Sequence, residues 1–124
     1  MTNPNTADAL TFDQLRELVL TALEDFKAVD IQTIDVSEQN PLTELFVIAS
    51  GSSSRHVKSI ANNVAMEAKK AGHPPIGVEG ETDGEWMLVD LVDVVVHVMQ
   101  PQIRKFYDLE NLWQVDLSRQ QESF

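Results

Sequence analysis

The 124 residues contain no cysteine. That absence excludes thiol catalysis, disulfide staples, iron–sulfur ligation and thiolate zinc sites together. Nowhere do about 18 apolar residues run uninterrupted, so no membrane-spanning helix is expected. The first ten residues lack both an apolar signal core and the Arg-rich character of a transit peptide, which makes a cytoplasmic location the expectation. Bases are also scarce: 9 Lys and Arg stand against 20 Asp and Glu, for a formal net charge of −11. Such a field repels phosphate backbones and attracts basic protein surfaces, so direct DNA binding is not expected. The same charge also suits a merely soluble acidic protein.

What is present is uneven. Arg55, Lys58, Lys69 and Lys70 concentrate in the middle of the chain, whereas Glu79, Glu81, Asp83, Glu85, Asp90 and Asp93 occupy a stretch from Ala71 to Ile103 with no Lys or Arg. That stretch also holds Trp86, Met87, Leu88, Leu91 and the run Val94-Val95-Val96-His97-Val98-Met99. Two readings compete: an acidic rim around an apolar patch that grips a basic protein, or two core strands joined by a solvated acidic turn.

The length suits one domain able to bury about two-thirds of its unfolded surface. Residues 1–10 and 114–124 are polar, lack periodicity and read as loose tails around a domain at 11–113. Thr11 with Gln14 forms a capping box, and Phe12, Leu15, Leu18, Val19, Ala22, Leu23 and Phe26 make one helical stripe. A strand is predicted at Ile31–Val36, then a turn where Asn40 precedes Pro41. The continuous apolar run Leu45–Ser50 suits a central strand covered on both faces. Beyond Gly51-Ser52-Ser53-Ser54 a second helix buries Val57, Ile60, Ala61, Val64 and Ala68 and stops at Gly72.

Ile76–Glu79 reads as a third strand, parallel to the second because a helix intervenes, with a right-handed connection. Glu85–Leu91 and Val94–Met99 form an antiparallel hairpin across Val92-Asp93. Val92 is a poor choice where φ must be positive, which points to negative φ at Val92, a bulge at Asp93, or shorter strand ends. Pro101 opens a last helix whose apolar side is Ile103, Phe106, Tyr107, Leu109 and Trp113. The expected fold is α+β, a mixed five-stranded sheet with flanking helices in the order α-β-β-α-β-β-β-α.

Chemistry finds little support. His56, His73 and His97 fall on a helix start, a loop and a strand, without a spacing that would converge two of them on a metal; His97 reads as a satisfied core or patch residue. No Gly-x-Ser-x-Gly elbow surrounds Ser52, Ser53 and Ser54, which read as competing helix caps. Gly51-Ser52 between strand and helix suggests the nucleotidyltransferase arrangement, but that chemistry needs two carboxylates at i and i+2 on one strand. Asp90 and Asp93 straddle a turn instead, and Val94–Val98 carries no acid, so neither a catalytic residue nor a cofactor or metal site is assigned. Arg55 and Lys58 are too few, and lack interleaved aromatics, for a nucleic-acid surface.

The segments Leu45–Val57, Gly77–Gly80, Glu85–Leu91, Asp93–Pro101 and Phe106–Trp113 closely resemble the ribosomal silencing factor (Iojap) family, in order and over about residues 12–113. The resemblance implies a non-enzymatic factor that binds the large ribosomal subunit through its basic fourteenth protein. It implies that the bound factor sterically blocks small-subunit joining and represses translation when nutrients are limiting. It further implies a nucleotidyltransferase-like fold without the catalytic carboxylate pair, homodimers, and a partner-binding surface at Trp86 and Leu91 with the neighbouring Glu85, Asp90, Asp93 and Met99. The alternative is a residual nucleotide-binding or nucleotidyltransferase-like enzyme using Gly51, Ser52 and Asp90. Two departures stand out: Val92 occupies a place where the family usually has Gly, and Thr43-Glu44 replaces the usual Thr-Asp.

Overall fold

The computed structural model describes residues 10–80 and 82–112. The expected tails fall almost wholly outside this range, as does Trp113. Helix α1 (Phe12–Asp25) begins at the predicted capping box: the Thr11 hydroxyl accepts from Gln14 N at 3.1 Å, and the Gln14 side chain accepts from Thr11 N at 3.0 Å. Its stripe buries Leu15, Val19, Ala22 and Leu23, but Phe26 lies past the helix end and is exposed. The chain then crosses positive φ at Lys27, which turns it into strand β1 (Val29–Asp35).

Strand β2 (Leu45–Ser50) leads into α2 (Ser54–Lys70). Of the three serines that could cap α2, Ser53 does so, accepting from His56 N at 3.1 Å. The C-terminal end closes as a Schellman motif, with Gly72 N donating to Lys69 O and His73 N to Ala68 O while Gly72 sits at φ 85°. Asn63, a polar residue on the apolar face of α2, is buried because its side-chain amide donates to Ala22 O at 3.0 Å, tying α2 to α1.

Strands β3 (Gly77–Glu79), β4 (Trp86–Asp90) and β5 (Val94–Met99) complete a five-stranded sheet of order β1-β2-β5-β4-β3. The β2–β5 pair is parallel and the other three are antiparallel. The mixed α+β architecture is therefore as expected, with one refinement. β3 does run in the same direction as β2, but β5 and β4 lie between them, so the parallel ladder belongs to β2 and β5. The centre of the sheet is accordingly β5, all six residues of which are buried, and β2 is its neighbour.

The two faces of the sheet are covered differently. Val47, Ala49, Met87, Val89, Val94, Val96 and Val98 join the apolar faces of α1 and α2 in the main core. The opposite face carries a smaller cluster, Ile34, Val36, Ile48 and Met99, with Phe46 and Trp86 at its margin. Among the described residues, α3 (Pro101–Tyr107) and the helical turn after it pack there, through Ile103 and Leu109. Pro101 stands in the first turn as predicted, and Asp108 at φ 51° ends the helix. Phe106, expected on the buried side, points to solvent.

A polar clamp holds α3 in place. Arg104 is buried, its Nη1 donating to Ser50 Oγ at 2.9 Å and its Nη2 to Glu110 at 2.7 Å. Removing the guanidinium strands the Ser50 hydroxyl and frees the turn that carries Leu109. Arg104→Met is expected to cost about 2 kcal/mol, below the figure for a fully enclosed pair because Glu110 can resolvate. Urea unfolding of the variant against the parent chain measures it.

Candidate protein-interaction face

Register across the sheet defines the face that α1 and α2 leave open. Cross-strand partners share a face, so Trp86–Met99–Ser50 form one row, Glu79–Leu88–His97–Ile48 a second, and Gly77–Asp90–Val95–Phe46 a third. None of these strand positions is Lys or Arg. Met99 and Ile48 are buried under α3 and His97 lies buried between Phe46 and Trp86, whereas Trp86, Leu88 and Asp90 remain half-buried and Glu79 is exposed. Glu85, next to Trp86, is exposed as well.

The face is organised by stacked rings. Phe46 meets His97 edge-on at 4.9 Å, His97 lies 5.9 Å from Trp86, Trp86 packs on Tyr107 at 4.9 Å, and Tyr107 meets Phe106 at 5.0 Å. The series runs from the sheet interior to solvent, since His97 is only 5% exposed while Tyr107 and Phe106 are exposed. Edge-to-face and tilted pairs at these spacings favour a fixed arrangement of the rings. Gly80, at φ 93°, lets the chain pass against the Trp86 carbonyl where any Cβ would collide, so β4 is held close at its start.

Trp86 is fixed by more than stacking. Its indole Nε1 donates to His97 Nδ1 at 3.1 Å. An indole can only donate, so Nδ1 accepts and the neutral ring carries its proton on Nε2. Nε2 is buried and has no partner among the described residues, so His97 is half satisfied rather than satisfied. Burial lowers its pKa to about 4.

The residues singled out in the sequence thus separate. Trp86, Glu85, Asp90 and Asp93 are at least partly accessible. Leu91 and Met99 are not: both have zero exposure, so neither offers a side chain to a partner here. Leu91 shares strand parity with Met87 and Val89 and points beneath the helices. Met99 lies on the open side but is sealed by Ile103 and Leu109. Leu91 instead anchors the hairpin turn, its carbonyl accepting from His73 Nε2 at 2.9 Å and from Asp93 N at 3.0 Å. Tyr107 and Phe106, read from sequence only as helix-packing residues, join Trp86 on the accessible surface. Their signal was the coincidence of two aromatics at the end of a short helix, which does not by itself reveal what they stack on.

The other histidines are structural ties. His56 Nε2 donates to Phe26 O at 2.8 Å and its Nδ1 accepts from Ser52 N at 2.8 Å, joining the end of α1 to the start of α2. Gly51 N donates to Met99 O. The Gly51-Ser52 donors that a triphosphate would need are therefore engaged within the protein. Asp90 Oδ1 accepts from Val92 N at 2.9 Å, a turn contact. Among the described residues no group of three His, Asp or Glu could hold a metal ion.

The neutral His97 makes stability pH-dependent. The unfolded chain takes up a proton on this ring near pH 6.5 and the folded chain only near 4, so the unfolded state binds more protons between those values. Stability from this group is full above pH 6.5 and falls on acidification, by about 3 kcal/mol at most. In His97→Gln, whose amide oxygen can still accept from the indole, that loss between pH 6.5 and 4 should shrink in denaturation curves, leaving the carboxylate contribution.

A family model described as "Ribosomal silencing factor during starvation" matches residues 9–123. The chain is 44% identical to the ribosomal silencing factor RsfS of Chromobacterium violaceum over 104 residues, covering 84% of this chain and 85% of that one. It is 31% identical to a mouse protein named "Mitochondrial assembly of ribosomal large subunit protein 1", over 89% of this chain and 50% of that longer one. A crystal structure of a Chromobacterium violaceum protein superposes with a TM-score of 0.83 at 44% identity, covering 85% of this chain and 88% of that one. The chain belongs to the ribosomal silencing factor family.

Proposed function

We propose that this protein is a non-enzymatic translation repressor of the cytoplasm. It binds the large ribosomal subunit through that subunit's basic fourteenth protein and sterically blocks the small subunit from joining when nutrients are limiting. The observation that carries the reading is Trp86: a half-buried indole fixed by His97 and Tyr107, on a sheet face whose accessible strand charges are all acidic. A rigid, half-buried aromatic on such a face has the properties of an interface anchor. Glu79, Glu85 and Asp90 add steering and register more than affinity. The mouse relative's name, with its large ribosomal subunit, points to the same class of partner. The engagement of Ser52 by His56 and of Asp90 by the hairpin turn supports a binding role over nucleotidyl transfer. We also propose that the isolated chain forms homodimers.

Co-sedimentation with purified large subunits tests the proposal. The parent chain is expected to pellet with them and to reduce subunit joining. Trp86→Ala is expected to bind about 30-fold or more weakly, the loss typical of an anchor worth 2 kcal/mol, while keeping a cooperative unfolding transition. Equal pelleting of the two chains would remove Trp86 from the interface. Binding of the parent chain should also weaken as salt rises, because rim charges are screened over about 8–10 Å. Transfer of a labelled nucleotide in the presence of magnesium would favour the enzymatic alternative.

A further inference from the structure

The hairpin turn between β4 and β5 is strained without an internal return. Leu91 N donates to Val94 O at 2.9 Å and Asp93 N to Leu91 O at 3.0 Å, so Val92 is the middle residue of a three-residue γ-turn. Its φ is 74°. This conformation is rare in any L-residue and a true outlier for a β-branched one. A buried valine could offset the strain by joining the core, but the Val92 side chain does not, since the residue is 42% exposed.

The neighbours of Val92 are exposed as well. Leu42 is 78% exposed and Ile76 71%, and with Val92, Asn40, Thr43 and Asp90 they line one cleft of about 300 Å³. Three large apolar side chains therefore surround a single concavity from three separate segments. The cleft has one acid and no base in its lining. Asp90 uses Oδ1 on Val92 N, and its second carboxylate oxygen has no protein partner among the described residues. Glu44, also exposed, is tied to the turn through its N–H to Asp93 O at 2.9 Å. Asp90 also belongs to the row Gly77–Asp90–Val95–Phe46, so the cleft is continuous with the open sheet face that carries Trp86.

We propose that this cleft is a second docking point for the basic large-subunit protein, taking one apolar side chain between Leu42, Ile76 and Val92 and a Lys or Arg against Asp90. The proposal rests on the reading of the Trp86 face as the ribosome-binding surface and extends it to the end of the sheet. Strain at an exposed turn is then compensated on binding, as happens where a constrained residue serves recognition. Charge complementarity selects a basic segment: neither the cleft lining nor any residue from Ala71 to Ile103 is Lys or Arg.

The test separates binding from folding, because the two should move in opposite directions. Val92→Gly and Val92→Asn both accept positive φ and both remove the apolar side chain. Each is expected to melt at or above the temperature of the parent chain and yet to bind purified large subunits about tenfold more weakly. Ile76→Ser, at an exposed position outside the turn, should weaken binding to a similar degree without a change in melting temperature. Parent-like binding by Val92→Asn and Ile76→Ser, with Trp86→Ala still defective, would overturn the second docking point while leaving the Trp86 face intact. Failure of the parent chain itself to bind large subunits would overturn both.

Discussion

Strand β5 is the constraint on which the rest depends. It pairs on one side in parallel with β2 and on the other antiparallel with β4, and its alternation sends Val94, Val96 and Val98 under α1 and α2. The same two-residue period sends Val95, His97 and Met99 to the other side. A one-residue slip would exchange these sets, burying the imidazole among helices and exposing the valines. Register is therefore fixed by hydrophobic burial, and the position of Trp86 follows from it, because Trp86 is paired with Met99 and bonded to His97.

This arrangement explains how a small sheet presents a rigid aromatic without a deep pocket. Two helices cover one face over its three central strands. Among the described residues the other is covered by α3 and the turn after it, and α3 is short, held by the Arg104 clamp to Ser50 and Glu110. Beyond its reach the ring series emerges from the core. His97 pins the indole at a cost, since its own Nε2–H is buried without a partner among the described residues. A buried polar group left partly unsatisfied is a local departure from the most stable core, and such departures concentrate where surfaces are used.

Much of the fold was legible because it rests on local signals: the Thr11–Gln14 capping box, the Gly72 stop, Pro101 in the first turn of α3, and the unbroken apolar run of β2. Strand order was not, because nothing in Leu45–Ser50 or Ile76–Glu79 records that β5 inserts beside β2. Of the outcomes that Val92 left open, shorter strand ends is the one found: β4 loses one residue at each end, while β5 spans Val94–Met99 as expected. With Leu91 released from the strand, the turn has three residues rather than two, and Val92 takes the positive φ that its side chain disfavours. The burial of Leu91 could have been read from parity alone, since Met87, Val89 and Leu91 alternate with Trp86. The burial of Met99 could not, as it depends on where α3 docks.

Parity also bears on what a hairpin can contribute to recognition. Leu91 and Trp86 lie five positions apart, so they project to opposite sides of the sheet, and no single flat surface can touch both side chains. Leu91 can influence binding only through the turn it anchors, by way of its carbonyl bonds to His73 and Asp93. Shortening it would open a cavity under α2 and let the turn shift, moving Val92 and Asp90 together. Loss of binding in such a variant would therefore come with lost stability, whereas loss at the exposed Val92 would not. That coupling distinguishes a residue that supports an interface from one that forms it.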